Sequence, residues 1–166
     1  MVVIRGTKKF LDRVGAPTAS PPPSTTALGD WYGTVLFGRP QVGLFVSERT
    51  LLPVLMQFAP GATAPSRLSA QVATVLELHA LAGAFVNHEL EAMAQTALAK
   101  TASRSVIGML TEFAALSGVY RQAGDANSLI GLSLRLADTP CGPLYKTHIT
   151  PRRAVAAVAD EWIFAH

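Results

Sequence analysis

The chain has 166 residues, of which 49% are hydrophobic and 15% are charged, with fourteen Lys and Arg against eleven Asp and Glu. A soluble domain carries about 25% charged residues on average, so this one is poor in charge and rich in core-forming side chains. The composition excludes intrinsic disorder, and the length suits one domain over 1–166 with a hydrophobic core of its own. A single cysteine, Cys141, excludes an internal disulfide framework and a zinc site built on several thiolates.

The isoelectric point of about 9.4 reflects a surplus of only three positive charges. Residues 1–53 hold six bases and three acids, 54–99 one base and three acids, and 100–166 seven bases and five acids. Arg5, Lys8, Lys9 and Arg13 form the only dense basic group, which reads first as a solvated helix face. A phosphate-binding patch is the weaker alternative. The opening Met1-Val-Val-Ile-Arg-Gly-Thr-Lys-Lys lacks the apolar run of a signal peptide, and no window approaches the ~20 apolar residues of a membrane span. A cytoplasmic location is the expectation.

In chain order, Val2–Arg5 predicts a short strand rich in β-branched residues. Thr7 can cap a short helix over Lys8–Val14, with Phe10, Leu11 and Val14 on one face. Four prolines among residues 15–27 make that stretch a loop, read as mobile. Trp31–Phe37, Gln41–Val46 and Leu51–Phe58 predict three strands joined by short turns, hence an antiparallel meander. Pro53 places the third at an edge.

Helices dominate the remainder. Ser66 is the expected cap of one carrying Leu68, Val72, Val75, Leu76 and His79, interrupted at Ala82-Gly83. A second runs through Val86, Leu90, Met93 and Ala94, with Leu90 and Met93 toward the core. Residues 96–101 are a candidate strand. Ser103 caps a helix with Val106, Leu110, Phe113 and Ser117 on one face, and Asp125 or Asn127 opens another carrying Leu129, Leu132 and Leu136. Thr150-Pro151 is the clearest helix start, followed by Val155, Val158, Ala159 and Trp162 on one stripe. The expected architecture is α+β: a small antiparallel sheet, comprising strand 2–5 and the meander 31–58, with four to six helices on one face.

Four separated segments resemble, in sequence order, a family of small bacterial proteins known only as a domain of unknown function. They are Thr7-Lys8-Lys9, Leu28-Gly29-Asp30-Trp31-Tyr32, the run from Leu44 to Val54, and Arg104-Ser105-Val106-Ile107-Gly108-Met109. The resemblance implies a bacterial single-domain protein and assigns no chemistry. The chain departs from the family pattern at Ser47, where an Asn is expected, and at Leu110-Thr111-Glu112-Phe113, where an Asn-Asp-Phe-like ending is expected.

Recognised catalytic motifs are missing from the sequence. The four histidines, His79, His88, His148 and His166, never recur at metal-ligand spacing, and no His-Glu-x-x-His, Gly-x-Ser-x-Gly or phosphate-binding glycine loop occurs. No cofactor is expected, although Asp30 with Glu48 could supply oxygen ligands to a divalent cation. Cys141 in its Pro-Cys-Gly-Pro turn reads as a small, half-buried turn residue rather than a nucleophile. Polar groups gather at predicted element ends, where sites are often built. Asp30 and Glu48 are candidate bases or ligands, Ser105 and Arg104 a candidate anion site at a helix start, Tyr32 and Arg49 substrate-binding groups, and His88 a reserve base. His88 and Glu89 are adjacent on a helix and so are not expected to share a face.

Three function classes follow. The apolar content and terminal polar groups fit a hydrolase of an apolar ester or lactone. A homodimeric binding module would use the same apolar excess at a subunit interface. A nucleic-acid-directed, toxin-like module rests on the isoelectric point and on Lys8, Lys9, Arg104, Arg152 and Arg153, and the low charge fraction places it last.

Overall fold

The computed structural model describes residues 1–124 and 128–166. Five strands form one sheet: β1 (Val2–Gly6), β2 (Trp31–Leu36), β3 (Val42–Ser47), β4 (Pro53–Gln57) and β5 (Thr96–Lys100), in the order β4-β3-β2-β1-β5. Among the described residues the six α-helices are α1 (Lys8–Val14), α2 (Ala64–Leu78), α3 (Gly83–Ala92), α4 (Arg104–Ala123), α5 (Leu129–Leu136) and α6 (Pro151–Ala165). The α+β class is as expected.

The sheet is mixed rather than antiparallel, which corrects the sequence reading. The meander β2-β3-β4 is antiparallel, but β1 pairs in parallel with both β2 and β5. Parallel neighbours need a long crossover, and the chain supplies two: α1 with the proline-rich loop between β1 and β2, and α2 with α3 between β4 and β5.

A second correction concerns the helices, which cover both faces. Alternation along β2 sends Trp31 and Val35 one way and Tyr32 the other. On the Trp31 face lie Phe10 of α1, Leu68 and Val72 of α2, Phe85 of α3 and Val155 of α6. On the Tyr32 face lie Val106, Met109 and Phe113 of α4 with Leu132 and Leu136 of α5. Fully burying each such side chain contributes about 1.5–3 kcal/mol. Two cores on one sheet therefore account for the apolar composition.

Several start signals hold. Ser103 Oγ accepts from Val106 N–H at 3.3 Å, and Thr150 Oγ1 from Arg153 N–H at 3.4 Å. Helix α2 instead begins at Ala64, and Ser66 donates back to the Thr63 carbonyl. Ser128 caps α5, accepting from Gly131 N–H; the expected caps Asp125 and Asn127 lie outside the described residues. In α3 the buried stripe is Phe85, Val86, Glu89 and Met93, whereas Leu90, expected in the core, is 38% exposed. The apolar Leu90 misled the period, because the core position beside it, Glu89, carries an acid.

Strand β4 is an edge, as Pro53 implied, and it is sheathed. Leu55 N–H donates to Ser133 Oγ at 2.8 Å, and Gln71 Nε2 donates to the Leu55 carbonyl at 3.0 Å. Side chains thus satisfy backbone groups that an edge would otherwise offer to another chain.

Candidate functional site

The three parallel strands define where the chain divides. After β1 it turns into α1 on the Trp31 face, and after β5 it turns into α4 on the Tyr32 face. Loops leaving adjacent parallel strands in opposite directions open a crevice beyond their carboxyl ends, the place where open α/β sheets bind ligands. Here two adjoining hollows of about 490 Å³ each share Pro17, Lys100 and Thr101. Arg5, Thr18 and Pro21 line one; Gly6, Lys8, Leu11 and Asp12 line the other. Gly6 lets α1 fold back closely, since a Cβ there would sit 2.5 Å from the Phe10 ring.

Arg5 stands at the centre of the polar side. Its Nε donates to Asp30 Oδ2 at 2.7 Å and its Nη1 to the Lys100 carbonyl at 3.0 Å, so one guanidinium joins β5 to the entry of β2. The hydrogen bond to Asp30 outweighs partial burial and raises the guanidinium's affinity for its proton, with smaller help from Tyr32 and Glu48. Asp30 also accepts from Ser24 Oγ at 2.6 Å, and its N–H donates to Glu48 Oε2 at 3.2 Å. Lys8 pairs with Asp12 at 3.2 Å on the exposed face of α1. Lys100 has no carboxylate within 4.0 Å among the described residues.

The proline-rich loop, read from sequence as mobile, is fastened at Thr18 and from Ser24 onward. Thr18 N–H donates to the Leu98 carbonyl, and Ser24 Oγ accepts from Val3 N–H. Thr25 N–H donates to the Met1 carbonyl at 2.8 Å, and Thr25 Oγ1 accepts from the Met1 ammonium at 2.8 Å. Ala27 and Leu28 N–H donate to Glu89 Oε2 and Oε1 at 2.8 and 3.0 Å. Arg49 Nη1 donates to the Ala27 carbonyl at 2.7 Å. Gly29 completes the bend with φ +79°, and a Cβ there would meet Glu48 Oε2 at 3.0 Å.

The residues singled out from sequence fall into three groups. Asp30 and Glu48 lie together beside Arg5. Tyr32 is buried, with its hydroxyl accepting from Ser103 N–H at 3.0 Å, so it anchors the start of α4; Arg104 and Ser105 are exposed on that same turn. Arg49 and His88 lie across the strap formed by residues 24–30, in a separate groove of about 470 Å³ bordered also by Thr25, Glu161, Trp162 and His166. There the indole of Trp162 stacks on the His166 imidazole at 4.6 Å between centroids and lies tilted against that of His88 at 4.8 Å. His88 Nε2 comes within 3.7 Å of Glu89 Oε2, closer than adjacent helix positions suggest but beyond hydrogen-bonding range.

Lys100 escaped the sequence reading, Arg5 entered it only within the basic group of residues 5–13, and Glu89 only as the neighbour of His88. The first two sit at strand ends whose parallel pairing was not foreseen. Glu89 had a usable signal: with Phe85 and Met93 it recurs every four residues, placing it on the buried stripe. Burial raises its carboxyl above the ordinary range, opposed by the two backbone N–H donors, His88 and Arg49. Cys141 is buried and donates to the Thr139 carbonyl at 3.3 Å; burial and Glu112 push its thiol up to about 12, which makes it a poor nucleophile. No three His, Cys, Asp or Glu side chains assemble as a metal-binding group among the described residues. Nor, among those residues, is any helix long and apolar enough to cross a membrane.

Fold and crevice together define an α+β domain with a ligand-sized opening at the divergence of its parallel strands. Residues 3–154 match the family model described as "Domain of unknown function (DUF6933)", and the chain belongs to that family. The Arg5–Asp30–Lys100 crevice lies wholly within the matched residues, whereas Trp162 and His166 of the second groove lie beyond them. No curated protein and no solved structure matches the chain.

Proposed function

We propose that this domain binds a small anionic molecule with an apolar body in the crevice between β1 and β5. The observation that carries this reading is Lys100, a cation without a carboxylate partner among the described residues, set beside Arg5 at the divergence of two parallel strands. Pro17, Pro21 and Leu11 offer apolar wall, and Lys100, Arg5 and the Thr101 hydroxyl offer polar ends, the usual division of labour in a ligand pocket. A carboxylate or phosphate on a short hydrocarbon fits that lining. The setting we attach to it is the bacterial cytoplasm expected from the sequence.

Hydrolysis of an ester or lactone needs a nucleophile in reach of a base. Ser105 is exposed, Asp30 is held by Arg5 and Ser24, and His88 lies in the other groove, so binding is better supported than turnover. Self-association loses its main argument, because two covered sheet faces already use the apolar side chains. A nucleic-acid surface is less well supported, since two of the five bases it would use, Lys8 and Arg152, are paired with acids.

Calorimetric titration with hexanoate, and separately with inorganic phosphate, tests the reading. Saturable binding that weakens about tenfold in Lys100→Ala is expected, the loss of one charge-assisted contact. Absence of binding to both, or identical affinity in Lys100→Ala, would overturn it.

A further inference from the structure

We propose that Glu89 is the positioning residue of the crevice: from the Trp31 face of the sheet its buried carboxylate fixes the strap 24–30, and thereby sets Asp30 against Arg5. This rests on the reading of the crevice as the binding site, and it explains why an acid occupies a core position in α3.

Glu89 is fully buried, yet no Lys or Arg forms an ion pair with it among the described residues. Unpaired buried carboxylates are costly, and hydrogen bonds must offset that cost. Both oxygens are used on the strap: Oε2 on Ala27 N–H and Oε1 on Leu28 N–H. Two residues further on, Asp30 receives Arg5 and Ser24. An apolar residue would fill the core equally well, but it would leave the two N–H groups without acceptors. From outside the strap, Arg49 holds the Ala27 carbonyl, so residue 27 is gripped through both its backbone groups. The strap is thereby fixed in height and rotation where Asp30 must meet a guanidinium on the neighbouring strand.

The test is nuclear magnetic resonance on the free protein, comparing wild type with Glu89→Gln. Glutamine keeps one acceptor and turns an NH2 group toward the second N–H. Amide exchange at Ala27 and Leu28 is expected to accelerate on the order of tenfold. The exchange of the Arg5 Nε–H, which Asp30 holds in the wild type, is expected to accelerate with them, while the Leu55 amide held by Ser133 stays unchanged. Loosening of Ala27 and Leu28 with an unaltered Arg5 Nε–H would reduce Glu89 to a purely structural group and overturn the proposal. Unaltered strap amides would overturn it as well. Should Glu89→Gln fail to fold, Arg49→Ala reads the same coupling from the exposed side: a smaller, parallel acceleration at Ala27 and Arg5 supports it, and no change at Arg5 contradicts it. None of these readouts needs a ligand, so a failure of hexanoate and phosphate to bind would remove the binding function while leaving this coupling separately decided.

Discussion

Two carboxylates fasten the same strap, and they do so by opposite means. Asp30 lies at its end, partly exposed, and is neutralised by Arg5 at 2.7 Å; its side chain keeps 13% of its accessible surface. Glu89 lies beneath it, fully buried, and is met by backbone N–H groups rather than a cation. The first arrangement is open to solvent at the mouth of a crevice, where an incoming anion can compete for the guanidinium. The second is closed and has no access for a ligand. The difference separates a group placed to interact from a group placed to hold.

Removing the holding group is expected to have the largest effect. Glu89→Ala strands two buried donors, and chemical denaturation should register a loss of about 2–4 kcal/mol. A loss below about 1 kcal/mol would mean that water readily replaces the carboxylate, and the contrast with Asp30 would collapse.

Acidity separates the two sites next. Because the folded-state pKa of Glu89 is raised, the stability linked to it is fully present below the ordinary glutamate value and is lost as pH rises through the elevated one. Stability of the wild type should therefore fall across that window, and Glu89→Gln, which cannot ionise, should lack that component of the slope. Equal slopes in the two proteins, followed by denaturation at a series of pH values, would show that the backbone donors fully offset burial.

The half-buried pair of Arg5 and Asp30 should respond less. Arg5→Lys keeps the charge but cannot bond Asp30 and the Lys100 carbonyl with one planar fork. A loss of about 1 kcal/mol in the same denaturation assay is expected, discounted for its partial exposure. At the far end of the scale, Lys8→Ala removes an exposed i,i+4 pair whose lysine side chain is 91% accessible. It should change stability by no more than about 0.5 kcal/mol.

Local signals in the sequence carried much of the fold. Ser103 and Thr150 marked their helices, Pro53 marked its edge, and the stripes of α2, α4 and α6 followed helical spacing. Pairing direction was not legible, because nothing in Val2–Gly6 says which strands flank it; that depends on where a crossover delivers the chain. The second covered face followed from the same blind spot. For the site, Asp30 and Glu48 were visible as polar groups at strand ends, and they do meet. Arg5 and Lys100 are 95 residues apart and become neighbours only through the β1–β5 pairing. Glu89 was hidden for another reason: periodicity arguments seek apolar residues, and its burial is stabilised by partners on a distant loop.

The most direct test of the binding function is a residue-resolved NMR titration of the wild type with hexanoate. The account predicts chemical-shift changes concentrated at Arg5, Gly6, Lys100 and Thr101, saturating together. Changes confined to the His88–Trp162–His166 groove, or scattered over the surface without saturation, would contradict it.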